Sequence, residues 1–306
     1  MFKQKLNLNQ KFVIWGYPLN SHTHSYIHYG FFKTLKSLGY NVEWFDDIEI
    51  DGDFENCIFI TEANCSKNIP IVKSSKYFIH NIEDLFVDQT KYDHEHIYNL
   101  LVYHEEYNWN DSVKYNGDNS WYNPSTKSLV IFWATDLLPE EIDNMEPVLY
   151  DDTKNSNNFI GTIQGNELVN FAHISANNGK DFNNYGGYTG YCGNDSQFFE
   201  LDRSIEYIKN SYLSFDIREE QHLRNGYVSC RNFKNISYGC WTGTNSLKVN
   251  KLFEGRMTIN SNLNLLYSSL EEDTRKVTIN QLRDNMDYIK NNHTYINRIN
   301  SMISIL

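Results

Sequence analysis

The stretch Lys11–Asp47, KFVIWGYPLNSHTHSYIHYGFFKTLKSLGYNVEWFDD, decides the fold. Phe12–Trp15 is a short apolar run closed by Gly16 and Pro18, the pattern of a buried strand that runs into a loop. From Ser25 to Leu38 the apolar residues Ile27, Phe31, Leu35 and Leu38 recur every three or four positions. With Ser25 as a cap and Gly39 as a stop, that spacing predicts an amphipathic helix. Asn41–Phe45 is extended again and closes on Asp46 and Asp47. A strand, a helix and a strand in so short a span require a crossover connection, and hence parallel strands.

Outward from this unit, apolar runs recur at Cys57–Ile60, Tyr77–Ile79, Asn99–Tyr103 and Leu129–Trp133, each ending in polar residues. Continuous runs of this kind suit a parallel sheet covered on both faces. The polar stretch Asp151–Asn158 has almost nothing to bury and reads as a linker. The rhythm then restarts, with a strand at Asn158–Gln164, a helix at Asn166–Asn177 and an extended piece at Phe182–Gly186. A glycine-rich loop, a helix over Ser196–Asn210 and a strand at Tyr212–Ile217 follow. Thr278–Leu306 carries one apolar stripe, the mark of a long terminal helix whose weak point is Asn291–Asn292.

Composition excludes several classes. Of 306 residues, 40% are hydrophobic and 15% aromatic, which is a folded and not a disordered chain. The formal net charge of -12, with no block of Lys and Arg, disfavours a nucleic-acid partner. No apolar run approaches the ~20 residues of a membrane span, and the first residues lack the pattern of a signal peptide. The five cysteines are odd in number and have no CxxC pairing, as in reduced thiols. The expected location is therefore the cytoplasm.

The densest chemistry lies in Arg224–Lys251, RNGYVSCRNFKNISYGCWTGTNSLKVNK. Thr242–Ser246 reads as a Gly/Thr/Ser loop opening a helix, whose free N–H groups and positive dipole end suit a diphosphate. Arg231, Lys234 and Lys248 can add charge there. Arg218 ends the Tyr212–Ile217 strand, and ligands of parallel sheets lie beyond the carboxyl ends of strands. An ion pair with Glu219 or Glu220 is its plainer reading.

A second constellation, His22-Thr23-His24, follows the first strand directly. An imidazole there can take a proton from an acceptor hydroxyl near neutral pH, with His24 favoured because it lies nearer the helix start. His104 and Glu105, after a later strand, are candidates to orient an acceptor.

The pattern Arg231-x-Phe233, with Gly239 six residues after the Phe and a loop and helix beyond, resembles the donor-binding block of GT-B glycosyltransferases. The tail Asn291–Arg298 is similar to the terminal-helix signature of the group 1-like branch, and the opening strand, loop and helix are similar to its acceptor domain. The resemblance implies an α/β chain of two Rossmann-like domains facing across a cleft, 1–150 for the acceptor and 151–275 for the donor. Residues 276–306 would then form a terminal helix packed across the junction. It also implies transfer of a sugar from a nucleotide diphosphate sugar to a hydroxyl of a glycan or related acceptor, with no cofactor and no bound metal. Donor-binding residues on this reading are Arg218, Arg231, Lys234, Tyr238, Gly239, Thr244, Asn245, Ser246 and Lys248. The family's acidic residue after the Phe is Lys234 here, which moves that position towards the diphosphate.

Two other classes fit some of the same residues. His22, His24 and Asp136 match the ligand types of a metal-dependent hydrolase barrel. The 22 Tyr and 6 Trp match a non-catalytic protein that stacks sugars or nucleotides on aromatic rings.

Overall fold

The computed structural model describes residues 10–80, 82, 94–102, 113–115, 120–161, 163, 165–185 and 201–306. The described chain divides into two compact units: the first takes in the residues up to Val102, 113–132 and Tyr295–Leu306, the second Trp133–Thr294. Each is built on a parallel sheet.

The first unit begins with β1 (Lys11–Gly16), α1 (Thr23–Ser37) and β2 (Asn41–Asp46), and β1 and β2 pair in parallel from Lys11 opposite Asn41 to Gly16 opposite Asp46. The sequence reading of this segment is met nearly residue for residue. There follow β3 (Ile58–Glu62), β4 (Lys76–His80), β5 (Ile97–Leu101), β6 (Val113–Tyr115), β7 (Ser120–Asn123) and β8 (Ser128–Ile131). They lie in the order β2-β1-β3-β4-β5-β8-β7-β6, in which the first six are mutually parallel, β7 runs antiparallel to β8, and β6 antiparallel to β7. This sheet is open, so the closed barrel of the metal-hydrolase alternative is not the architecture.

Because side chains alternate along a strand, Val13 and Trp15 enter one core with Phe59, Tyr77, Ile79 and Ile97, while Phe12 and Ile14 turn to the other face. The terminal helix α10 (Tyr295–Ile303) belongs to this unit: the Tyr295 ring lies 4.6 Å from Phe31 of α1, and Arg298 Nε donates to Phe132 O at 2.7 Å. Gly30 permits that approach, since a Cβ there would lie 2.1 Å from the Tyr295 ring. Gly30→Ala is therefore expected to lower stability by about 1–3 kcal/mol, read from the urea midpoint, because the overpacked ring cannot retreat into solvent.

The second unit runs through α2 (Pro139–Asp143), β9 (Ser156–Ile160), α3 (Gly165–Asn177), β10 (Asp181–Tyr185), α4 (Leu201–Lys209) and β11 (Ser214–Asp216). It continues with α5 (Glu220–Asn225), α6 (Cys230–Ser237), β12 (Thr242–Thr244), α7 (Asn250–Phe253), β13 (Thr258–Ile259), α8 (Leu263–Lys276) and α9 (Ile279–Asn292). β10 pairs with β9, and β11, β12 and β13 form a second parallel ladder. The two ladders adjoin where Tyr212 N–H donates to Ser156 O at 2.7 Å and Leu213 N–H to Asn157 Oδ1 at 2.9 Å. The resulting order β10-β9-β11-β12-β13 repeats the 2-1-3-4-5 order of the first five strands of the first unit. Both units are thus doubly wound, each with a topological switch point between its first and third strands.

Two boundaries differ from the sequence reading and one agrees with it. The chain enters the second unit at Trp133 and not near residue 150, because Leu137, Ile142, Met145 and Val148 pack with Tyr238, Cys240 and Met286. The stretch expected to be one terminal helix is two, α9 and α10, divided at His293–Thr294. Asn178–Lys180 closes α3 with Gly179 at φ +72°, as the expected helix end requires. Among the described residues no helix is long and apolar enough to cross a membrane, and Cys57, Cys65, Cys230 and Cys240 are free thiols.

Candidate functional site

In the second unit the carboxyl ends of β9, β11 and β12 meet at Asp216, the last residue of β11. Its carboxylate is fully buried and accepts from Arg218 Nε at 3.0 Å and Nη2 at 2.7 Å, Arg231 Nη1 at 2.7 Å, Ser229 Oγ at 2.9 Å and Asn232 Nδ2 at 2.9 Å. Burial alone would raise its pKa, but the Arg218 and Arg231 charges beside it hold the carboxyl well below the ordinary carboxylate range. Arg231 also donates to Ile160 O at the end of β9, and its guanidinium lies 4.0 Å from the Phe159 ring centroid. Gly161 makes this possible: a Cβ there would lie 2.5 Å from Arg231 Nη2.

Arg218 is fixed from the other side by Asn245, whose Oδ1 accepts the Arg218 N–H and whose Nδ2 donates to Arg218 O, both at 2.8 Å. Ser246, next along, is buried, and its Oγ has no hydrogen-bond partner among the described residues. Trp133 Nε1 donates to Tyr227 OH at 3.0 Å, and the Tyr227 ring lies 5.3 Å from the Arg218 guanidinium. The structure thus brings together Arg218, Arg231, Asn245 and Ser246 of the sequence candidates, and adds Asp216, Ser229, Asn232 and Tyr227.

The remaining candidates of this segment are placed differently. Thr242–Thr244 is not a loop but the buried strand β12, paired on both sides, so its backbone is committed to the sheet. Thr244 Oγ1 accepts the Ser246 N–H at 3.3 Å. Tyr238 is wholly buried and donates to Asp136 Oδ1 at 2.7 Å, and Lys234 Nζ pairs with Asp136 Oδ2 at 2.5 Å. Asp136 is therefore engaged within the second unit, and the hydrolase reading loses its carboxylate. Gly239, at φ +89°, serves packing: a Cβ would lie 2.8 Å from Glu146 O. Lys248 Nζ donates to Arg224 O at 2.5 Å, and the expected helix at Asn245–Ser246 starts only at Leu247, as a 3-10 turn leading into α7.

In the first unit the loop from Tyr17 to His22 leaves β1 at the switch point between β1 and β3. His22 caps α1: its Nδ1 accepts the His24 N–H at 3.2 Å, while Ser25 Oγ donates to His22 O at 2.7 Å. The rings form a column, with Tyr17 stacked on His22 at 4.0 Å, His22 on His24 at 5.3 Å, and His28 at 6.4 Å from both His24 and His80. Burial lowers His22 to about 4, assisted by His24 and opposed by the Glu62 charge. Burial lowers His24 to about 4, and burial with His24 and His22 lowers His28 to about 3. All are neutral near pH 7. His104 and Glu105 lie outside the described residues. Among the described residues no group of three or more His, Cys, Asp and Glu side chains is placed to hold a metal ion.

The two units define an α/β protein with a polar, partly buried site at the carboxyl edge of each parallel sheet. No family model matches the sequence, and no curated protein matches it. Solved structures similar to the chain include the DNA-modifying enzyme β-glucosyltransferase studied with and without uridine diphosphoglucose, at 8% identity and a TM-score of 0.48, covering 92% of this chain and 95% of that one. T4 phage β-glucosyltransferase gives 9% identity and a TM-score of 0.46 over 92% of this chain and 96% of that one. Trehalose-6-phosphate synthase gives 9% identity and a TM-score of 0.42 over 88% and 72%.

Proposed function

We propose that the chain is a GT-B-type glycosyltransferase that moves a sugar from a nucleotide diphosphate sugar to a hydroxyl group of a glycan or related acceptor. The observation that carries this reading is the pair Arg218 and Arg231, held side by side on Asp216 where β9 and β11 end. That place is the switch point of the second sheet, where doubly wound folds take nucleotides. Arg231 lies in the first turn of α6, whose N-cap residue Ser229 spends its hydroxyl on Asp216 and not on the helix. First-turn N–H groups next to two guanidiniums suit a diphosphate leaving group, which cations and amides stabilise without a bound metal. Lys234, one turn further along α6, adds to the same role by exchanging its Asp136 partner for the diphosphate.

At the other site His24 acts as the general base. His22 has its Nδ1 lone pair engaged by the His24 amide, so taking a proton there would break the cap of α1. The net charge of -12 favours a neutral acceptor over a phosphodiester chain.

Thermal-shift titration with a panel of nucleotide sugars, followed by product analysis of each stabilising donor, tests the reading, since a ligand of the native state raises its apparent stability. Binding without hydrolysis or transfer would favour the non-catalytic alternative. Arg231→Ala and Lys234→Ala are each expected to weaken nucleoside diphosphate binding by about 10- to 100-fold, the value of a charge-assisted hydrogen bond. Unchanged affinity in both would remove the phosphate assignment. Transfer is expected to continue in excess EDTA.

A further inference from the structure

Asp136 is held against one face of α6. Lys234, Ser237 and Tyr238 follow one another at helical spacing, which places them on that face. Tyr238 OH donates to Asp136 Oδ1 at 2.7 Å, Lys234 Nζ stands 2.5 Å from Asp136 Oδ2, and Thr135 Oγ1 meets Ser237 Oγ at 2.7 Å. Ser237 gives its own proton to Lys234 O at 3.0 Å, so Thr135 is the donor of that pair. On the other side the Thr135 N–H donates to His293 O at 3.1 Å. The carboxylate therefore sits on a segment tied down from both sides. Burial and the Asp136 charge push Tyr238 well above the ordinary phenol range, so its O–H keeps its proton and its bond.

Arg218, Arg231 and Lys234 are not held alike. Arg218 meets Asp216 through Nε and Nη2, and Arg231 is fixed between Asp216 and Ile160 O. A guanidinium fork is committed to such geometry, whereas an ammonium on a four-carbon stem is a point charge that changes partners readily. Lys234 is also the more open member of its pair, with its side chain 16% exposed against 5% for Asp136. In any exchange the lysine moves and the carboxylate stays. Resting on the glycosyl-transfer reading, we propose that Asp136 is a positioning residue that competes with the donor diphosphate for Lys234, and so sets how tightly the site holds the nucleoside diphosphate.

In the empty protein Asp136 neutralises Lys234 and parks it on α6, one turn from Arg231. When the donor binds, Lys234 turns to the diphosphate and Asp136 keeps Tyr238. After transfer the carboxylate draws the lysine back, which speeds the departure of the nucleoside diphosphate. The exchange is one of ion-pair partners only; no covalent bond changes and no proton moves. Asp216 has no such role, because it anchors two guanidiniums that the donor does not take from it.

Calorimetric titration of the full chain with inorganic pyrophosphate and with uridine, guanosine and adenosine diphosphates tests this. Asp136→Asn, whose amide oxygen still accepts from Tyr238, is expected to tighten nucleoside diphosphate binding by about 3- to 10-fold and to lower the Tm of the ligand-free protein, since Lys234 loses its counter-charge. A merely structural anchor would lower stability without raising affinity. In a Lys234→Ala background the same substitution is expected to change affinity by less than about 2-fold, because nothing is left to compete for. Tyr238→Phe, which removes a hydrogen bond that shares the Asp136 charge, is expected to weaken binding by about 2- to 5-fold and serves if the Asn variant fails to fold. Unchanged or weaker binding in Asp136→Asn overturns the proposal, as does equal tightening in the Lys234→Ala background or unchanged or tighter binding in Tyr238→Phe. Binding that ignores Asp136 removes this proposal alone, whereas a wild type that binds none of the four probes removes the glycosyl-transfer reading and the proposal with it.

Discussion

Asp216→Ala is expected to lower the stability of the second unit by about 3–5 kcal/mol, because it leaves Arg218 and Arg231 buried together without their shared counter-charge. The loss exceeds that of an exposed ion pair, worth about 0–1 kcal/mol, since the carboxylate is fully buried and the Arg231 guanidinium cannot turn to water without releasing Ile160. Asp216→Asn keeps the shape but not the charge, and is expected to fall between wild type and Ala. Urea unfolding of the three proteins measures this, and equal midpoints would contradict the assignment. The pH dependence has a definite sign. The folded carboxyl titrates below its unfolded value of ~3.9, so its stabilisation is complete above that value and is lost only as pH falls further. Between about pH 5 and 8 the Asp216 contribution is therefore flat.

The same cluster shows what sequence could and could not deliver. The first strand, helix and strand were legible because Phe12–Trp15 and the Ile27, Phe31, Leu35 stripe carry both the burial and the periodicity in apolar side chains. The site of the second unit is held by polar side chains whose partners are far apart in sequence. Arg218 stood out as a charge at a strand end, yet the same rule applied two residues earlier finds Asp216. The segment Thr242–Thr244 reads as a loop because it has no aliphatic residue, but two β-branched threonines flank a glycine that Leu266 and Leu270 of α8 cover closely. α8 is a helix the sequence reading passed over, although Asn262 caps it and Leu263, Leu266 and Leu270 recur at helical spacing.

His24→Ala is expected to lower kcat by about 100-fold or more while the donor dissociation constant changes little, since the proton it accepts comes from the acceptor and not the nucleotide. The wild-type pH profile gives a second handle. A base must be unprotonated to act, and burial lowers His24 to about 4, so kcat/KM should rise through that value and stay level to pH 8, with no limb near the ordinary histidine value of ~6.5. Stability should behave differently. His28, wholly buried and with neither ring nitrogen hydrogen-bonded among the described residues, is lowered to about 3 by burial and by His24 and His22. Below ~6.5 the unfolded chain binds a proton that the folded chain refuses, so the His28 contribution is whole above that pH and is lost progressively towards about 3. Acidification should thus lower Tm well before it lowers the initial rate. His28→Leu, which removes this proton uptake, is expected to flatten the acid side of the Tm profile, and a profile identical to wild type would show that the column does not govern it. Single-turnover rates for the His24 variant, measured at pH 7 where both proteins are folded, then isolate the base from the fold.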